Sequence, residues 1–381
     1  MIPITRPLVG QEEADAAAKV VLSGWLSQGA EVAAFEAAFA EFVGAKHACA
    51  VSNCTAALHL ALLVAGVSPG DEVITVSSSF IASANVIRAC GALPVFVDIR
   101  SDDYNIDPIL VEAAFTARTK ALLCVHQMGM PCDLSKLVPL ARERGVVLIE
   151  DAACATGSKL QDGGDWNHVG APHGDIACFS FHPRKVVTTG EGGMITTSHE
   201  DWDRKLRLLR QHGMSVPDLA RHRSNQVIFE EYLIPGFNYR MTDIQAAIGI
   251  QQLLRIAKIV QTRRQLAAQY DRLLNNNMGI KAPVEPAWAQ TNWQSYCVRL
   301  PPGIDQKSVM QSMLEQGVAT RRGIMCAHLE PAFQDVPLRF PLPESERARD
   351  NCILLPLYPQ MDEATQEKVA VSLHEAIGRQ M

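Results

Sequence analysis

The sequence predicts an α/β protein in which a mostly parallel, seven-stranded sheet lies between helices and a smaller C-terminal α+β unit follows. Three observations carry this. From about residue 45 to residue 200, short apolar runs rich in β-branched residues alternate with helical patterns, as in a parallel sheet covered on both faces. After residue 200 long helical patterns take over, and a second strand–helix segment follows them. The 381 residues also exceed what one core ordinarily holds, which predicts two domains.

Taken in order, ACAVS (48–52) reads as the first strand and TAALHLALLVAG (55–66) as a helix that Gly66 ends. DEVITV (71–76) is a strand and IASANVIRACG (81–91) a helix. LPVFVDI (93–99), KALLCVH (120–126) and VVLIED (146–151) are strands, with the helix DLSKLVPLARERG (133–145) before the last. ACFSFH (177–182) and GMITTS (193–198) complete the seven strands. Helices are expected over 201–212 and roughly 241–275, and KAPVEPAW then breaks the pattern. NWQSYCVRL (292–300) and CILLPL (352–357) read as strands, QKSVMQSMLEQG (306–317) and EATQEKVAVSLHEAI (363–377) as helices. The expected division is a large domain over 1–255 and a small one over 256–381.

Composition narrows the function. Hydrophobic residues make up 48% and charged residues 20%, as in water-soluble globular domains. A net charge of −6, with no Lys/Arg block and no aromatic-plus-basic stripe, predicts no nucleic-acid partner. No apolar run reaches the ~18 residues of a membrane span, so none is expected. MIPITRPLVGQEE lacks the layout of a signal peptide, which makes the cytoplasm the expected compartment. The ten cysteines are scattered, without CxxC, and most sit in apolar stretches. Buried, reduced thiols are expected of them, with neither disulfides nor a metal site.

Open α/β sheets bind ligands beyond the carboxyl ends of their strands. Ser52-Asn53-Cys54-Thr55-Ala56-Ala57 joins a strand to a helix N-terminus, where free N–H groups and the Thr55 hydroxyl suit a phosphate. The competing reading is an ordinary capping threonine. Glu150 and Asp151 end a buried strand, where a carboxylate needs a charged or hydrogen-bonding partner. A protonated pyridine nitrogen is one such partner; a metal is the competing idea, though no His or carboxylate lies at ligand spacing beside it. In GDIACFSFHPRKVVTTGEGGMITTS, Pro183 breaks a strand, Lys185 sits in the turn and a glycine-rich return leads into the next strand. A desolvated lysine near cationic groups has a lowered pKa and attacks aldehydes; a solvated loop lysine is the alternative.

These stretches, with SGWLSQGAEVAAFEAAFAEFVGA (23–45), GFNYRMTDIQAAIG (236–249) and LLPLYPQM (354–361), resemble the DegT/DnrJ/EryC1/StrS nucleotide-sugar aminotransferases. The resemblance runs nearly end to end, and it implies a fold-type I transferase dependent on pyridoxal 5′-phosphate (PLP). By that resemblance Lys185 would bond the cofactor and carry the proton, and Asp151 would pair with the pyridine nitrogen. Thr55, Ala56 and Ser180 would hold the phosphate, and Phe80 would stack on the ring. Asn238 would reach the phosphate of a partner subunit, which implies a homodimer with active sites at the interface. Trp25, Gln28 and His328 would lie towards the substrate. Apart from the resemblance, Arg321 and Arg322 are the basic candidates for a substrate diphosphate, with a surface role the alternative. Cys154 stands where the family usually has Gln or His beside the cofactor, and RRGIMCAHLEP (321–331) lacks the common tyrosine. Relatives that remove a hydroxyl carry His in place of the lysine, so Lys185 favours transamination.

The expected reaction moves an amino group from an amino acid, L-glutamate by resemblance, to a keto group of a nucleotide-linked sugar, foremost a 4-keto-6-deoxy sugar. A 3-keto sugar or a cyclitol is the alternative acceptor, and a non-catalytic regulatory protein on the same scaffold the alternative class.

Overall fold

The computed structural model describes residues 1–171, 173–275 and 278–381. Thirteen strands are present among them: β1 (His47–Val51), β2 (Glu72–Val76), β3 (Leu93–Val97), β4 (Thr119–Val125), β5 (Val147–Asp151), β6 (Lys159–Asp162), β7 (Asp165–His168), β8 (Ile176–Ser180), β9 (Gly193–Thr197), β10 (Ala289–Gln290), β11 (Tyr296–Arg299), β12 (Arg321–Arg322) and β13 (Cys352–Leu355). The helices are α1 (Gln11–Ser23), α2 (Ala30–Val43), α3 (Cys54–Val64), α4 (Ala82–Ala89), α5 (Pro108–Ala114), α6 (Leu134–Arg144), α7 (Glu200–Leu209), α8 (Asp218–Arg223), α9 (Asp243–Leu274), α10 (Gln306–Glu315), α11 (Pro343–Asn351) and α12 (Glu363–Gly378).

The main sheet has seven strands in the order β1-β9-β8-β5-β4-β2-β3. Only β9 is reversed; it pairs antiparallel with both β1 and β8, and the remaining pairs are parallel. Every residue of β2, β8 and β9 is buried, so these strands read as continuous apolar runs rather than alternating ones. All seven expected strands are present, each within two residues of its expected ends.

Charged groups inside the fold need partners. Glu36 of α2 is buried, and the guanidinium groups of Arg207 and Arg210 hold it. Its Oε1 also accepts from Ala50 N at 2.9 Å, which ties α2 and the end of α7 to β1. Burial pushes the Glu36 pKa up, and the two arginines overcome this and leave it below its ordinary 4.5.

The apolar core falls into two main clusters. One gathers the main sheet with its helices; the other gathers β11, β13, α10 and α12. The helix α9 serves both, with Ala246, Ile256 and Ile259 in the first cluster and Leu266, Ala267, Tyr270 and Leu274 in the second. Thr242 caps it, accepting from Gln245 N while remaining extended, so the helix begins after the expected start at 241. Chain order and cluster do not coincide everywhere: Ile2 bridges Val318, and Cys297 and Cys352 pack in the first cluster.

Two sequence expectations need correction. The strand expected over 292–300 forms only over Tyr296–Arg299. Trp293 takes a left-handed φ of 51°, and the Asn292 side chain accepts from Gln294 N, so the chain turns there instead of extending. A second, three-stranded sheet of β10, β6 and β7 was not expected at all. Its hairpin turns on Gly163-Gly164, with φ of 58° and 101°, and that glycine pair is the sequence signal for it.

Candidate active site

The strand ends converge where β5 and β8 lie side by side, with Asp151 opposite Cys178. Asp151 is 5% exposed. Ser83 Oγ, from α4, donates to its Oδ2 at 2.7 Å, and Ala153 N donates to Oδ1 at 3.1 Å. Burial raises the Asp151 pKa, and these bonds with the nearby Lys185 and His126 oppose the rise.

The neighbouring Glu150 makes different contacts. Cys132 N donates to His126 Nδ1 at 2.9 Å, so His126 Nε2 carries the proton and faces Glu150 Oε2 at 3.0 Å. Gly174 N donates to the other Glu150 oxygen. Glu150 and His126 therefore form a closed internal pair, and His126 is fully buried in it.

Beyond β8 the chain turns, and Lys185 N donates to the His182 carbonyl at 2.8 Å. The turn carries the Lys185 amine back over the sheet, where Nζ donates to Cys154 Sγ at 3.2 Å. Burial opposes charge on this amine, but the Cys154, Cys54 and Asp151 groups around it outweigh burial and raise its pKa. That reverses the sequence expectation of a lowered pKa: acids and thiols surround the amine in this chain, not cations. Cys154 is the one half-buried cysteine; the other nine are buried and all ten are free.

At the other side, α3 begins against β9. Asn53 is its cap: the side chain accepts from Ala56 N at 2.8 Å. The capping alternative for Thr55 therefore fails. Thr55 is exposed inside the first turn, and the N–H groups of Cys54 and Thr55 have no partner among the described residues. The Ala56 N–H is already engaged by Asn53. A Cβ on Gly193 would stand 2.5 Å from the Asn53 carbonyl carbon, so only glycine lets β9 start this close to the helix. Ser180, 7% exposed, ends β8 opposite Gly193.

The remaining candidates each have their own surroundings. Phe80 is 66% exposed, and its carbonyl accepts from Ser83 N, the residue that holds Asp151. Trp25 Nε1 donates to the Gln28 carbonyl at 3.3 Å, and the Gln28 Oε1 is buried without a partner. Asp243 binds Gly29 N beside them, and Gln245 donates to the Glu191 carbonyl in the return after Lys185. Asn238 is exposed, and the next residue, Tyr239, accepts from Ser52 N at 2.8 Å. Arg240 pairs with Asp218 and so ties that segment to α8. Arg321 is exposed on β12. His328 is used internally: Nδ1 meets Ser77 Oγ at 2.6 Å and Nε2 meets Glu346 Oε1 at 3.2 Å, which leaves no ring nitrogen free for a substrate.

Several residues escaped sequence reasoning. Ser83 sits mid-helix with no local mark of its role. Asn53 did carry a signal, as a strong capping residue directly before a helical run. Asn292 and Gln294 lay inside an expected strand.

This donor set suits PLP. Lys185 offers an amine, Asp151 a buried carboxylate beside it, and the first turn of α3 two free N–H groups. Residues 7–374 match the DegT/DnrJ/EryC1/StrS aminotransferase family. The chain belongs to that family. It is a PLP-dependent aminotransferase. Its fold matches an aminotransferase TlmJ from Streptoalloteichus hindustanus with a TM-score of 0.91 and 33% identity, over 100% of this chain and 99% of that one. It matches PseC of Helicobacter pylori, an aminotransferase of pseudoaminic acid biosynthesis, with a TM-score of 0.91 and 27% identity over 99% of both chains. A sugar aminotransferase of Streptococcus pneumoniae, Spr1654, solved in PLP and PMP forms, matches in its PMP form with a TM-score of 0.93 and 25% identity, over 100% of both chains.

Proposed function

We propose that this aminotransferase moves an amino group from L-glutamate to a keto group of a nucleotide-linked sugar, a 4-keto-6-deoxy sugar before a 3-keto sugar or cyclitol. The observation that carries the reading is the pair of adjacent strand ends: a buried Asp151 on β5 and the Lys185 amine in the turn after β8. The similarity to sugar aminotransferases supports the acceptor class.

PLP, when bound, supplies the electron sink that lets an amino group change carbons. The chain's own groups do the rest. Asp151, buried and fixed by Ser83 and Ala153, would stand against the ring nitrogen and stabilise its protonated form. Lys185 Nζ is the proton carrier, and Cys154 Sγ is the acceptor it rests on between transfers. The first turn of α3, with Thr55, and Ser180 at the end of β8 bind phosphate through N–H and hydroxyl groups. Phe80 shields one face of the ring from water. Trp25, the unpartnered Gln28 oxygen and Arg321 form the substrate side.

The active unit of this reading is a homodimer, with Asn238 reaching the phosphate of the second subunit. The exposed apolar side chains Val227, Phe229, Tyr232 and Leu233, just before Asn238, support a second copy as their cover. The proposed compartment is the cytoplasm, which the ten free thiols support.

The test is a visible spectrum of the PLP-loaded protein before and after L-glutamate, beside Lys185→Ala. A visible band that glutamate removes, and that Lys185→Ala lacks, is expected. A wild type that holds PLP but responds to no amino donor would sink the reading and bring the regulatory alternative forward. Product analysis with several keto-sugar nucleotides then separates the acceptors.

A further inference from the structure

Asn292, Trp293 and Gln294 form one turn between β10 and β11. Asn292 is fully buried, and its Nδ2 donates to the carbonyls of Cys154 at 2.8 Å and Thr156 at 2.9 Å. Its backbone N–H donates to Ser158 Oγ at 2.9 Å. Gln294 is 9% exposed, and its Nε2 donates to the carbonyl of Arg184, the residue before Lys185. Asn292 Oδ1 accepts from Gln294 N at 2.8 Å, which joins the two residues in one frame. One amide thus grips the loop that carries Cys154, and the other grips the turn that carries Lys185. Between the two loops Lys185 Nζ meets Cys154 Sγ at 3.2 Å.

The frame is held at some cost. Trp293 adopts φ 51°, a strained value for a bulky residue. Arg263 of α9 pins the turn: its Nε donates to the Trp293 carbonyl at 2.8 Å and its Nη2 to the Gln294 carbonyl at 2.7 Å. Arg263 is 3% exposed, and burial alone draws its pKa down to about 10, with no carboxylate beside it among the described residues. Gly129 makes the room, since a Cβ there would fall 2.0 Å from Asn292 Oδ1. The Gln294 amide has one workable orientation at Arg184, because a carbonyl can only accept. It keeps that orientation although its own Oε1 is buried without a partner. A strained turn, a buried cation without an acid and an orphaned oxygen all meet at the point that joins the two catalytic loops.

We propose that Asn292 and Gln294 are positioning residues for transamination, setting where the Lys185 amine stands relative to Cys154 and Asp151. The proposal rests on Lys185 being the lysine that bonds the cofactor. It makes the clamp, and Arg263 behind it, the route by which α9 acts on the reacting amine.

The test compares wild type with Gln294→Met, which keeps the length and loses the donor, and with Gln294→His, which restores an N–H. Two quantities are read: the pH midpoint of the visible band in the PLP-loaded protein, and the rate at which iodoacetamide alkylates Cys154 in PLP-free protein, followed by peptide mass. Gln294→Met is expected to move the midpoint by about half a pH unit or more. Its alkylation rate is expected to change by about threefold or more. Gln294→His returns whichever quantity moves towards wild type. Both quantities unmoved in Gln294→Met, or a change that Gln294→His fails to reverse, overturns the proposal. If Gln294→Met loses its cooperative melt, Arg263→Lys replaces it under the same criterion, since it keeps the charge but loses the two-pronged grip. A visible band surviving in Lys185→Ala would instead strike the reading of Lys185, and the alkylation rates would still judge the clamp.

Discussion

Asp151 shows how one side chain is prepared by residues far from it in sequence. Its carboxylate is buried at the end of β5, where burial raises its pKa and the hydrogen bonds from Ser83 and Ala153 oppose part of that rise. Asp151→Asn keeps the shape and removes the charge; kcat is expected to fall by ~100-fold or more while PLP still binds. Stopped-flow measurement of the glutamate half-reaction reads this directly. Ser83→Ala removes one bond to a charged group and should cost ~10-fold in the same rate. A Ser83→Ala rate equal to wild type would show that Ala153 N alone orients the carboxylate. Asp151 and Lys185 were legible because charged groups at buried strand ends are rare and need a reason. Ser83 was not, since only the tertiary fold brings α4 within hydrogen-bond reach of the end of β5. His328 was legible as a residue near the site, but its use by Ser77 and Glu346 depends on contacts from two other elements.

At the scale of elements, the seven sheet strands were readable because each is buried along most of its length and so rich in apolar residues. The turn at 292–294 was not, because its amide side chains replace sheet partners and nothing local distinguishes them from strand residues. The join of β1, α2 and α7 rests on Glu36, and its pKa lies below 4.5 in the folded chain. A depressed carboxylate contributes stability that is fully present above about pH 4.5 and is lost as pH falls through the folded value. Glu36→Gln is expected to lose roughly 3 kcal/mol near neutrality, because it strands two guanidinium groups. It should also flatten the acid limb of a urea-denaturation series below pH 4.5. An unchanged acid limb would place that transition on other carboxylates. The contact of Gly193 with Asn53 makes a separate demand. Gly193→Ala forces β9 and the start of α3 apart, and it should weaken PLP retention in equilibrium dialysis while L-glutamate still reacts at saturating PLP.

Across the whole molecule, α9 runs 32 residues, about 48 Å, and lends its N-terminal part to one core cluster and its C-terminal part to the other. The sequence shows a change of pattern after residue 200, while the two core clusters meet along α9, inside a helix with no linker. The apolar segment 227–233 belongs to this scale too. Phe229→Asp with Leu233→Lys is expected to yield monomers in sedimentation velocity and to depress transamination, if those side chains meet a second copy. A mutant that stays dimeric and active would move the interface elsewhere.

The order of the main sheet also sets a schedule for making the protein. β1 leaves the ribosome well before β9, its sole neighbour in the sheet, which ends at Thr197. At ~5–20 residues per second the nascent chain carries β1 unpaired for roughly 10–30 s. Throughout that interval the α3 turn that receives phosphate has no β9 to rest against. Cofactor capture during synthesis therefore has to wait for the reversed strand, and any chaperone that attends this chain has the newborn His47–Val51 edge to shelter until then.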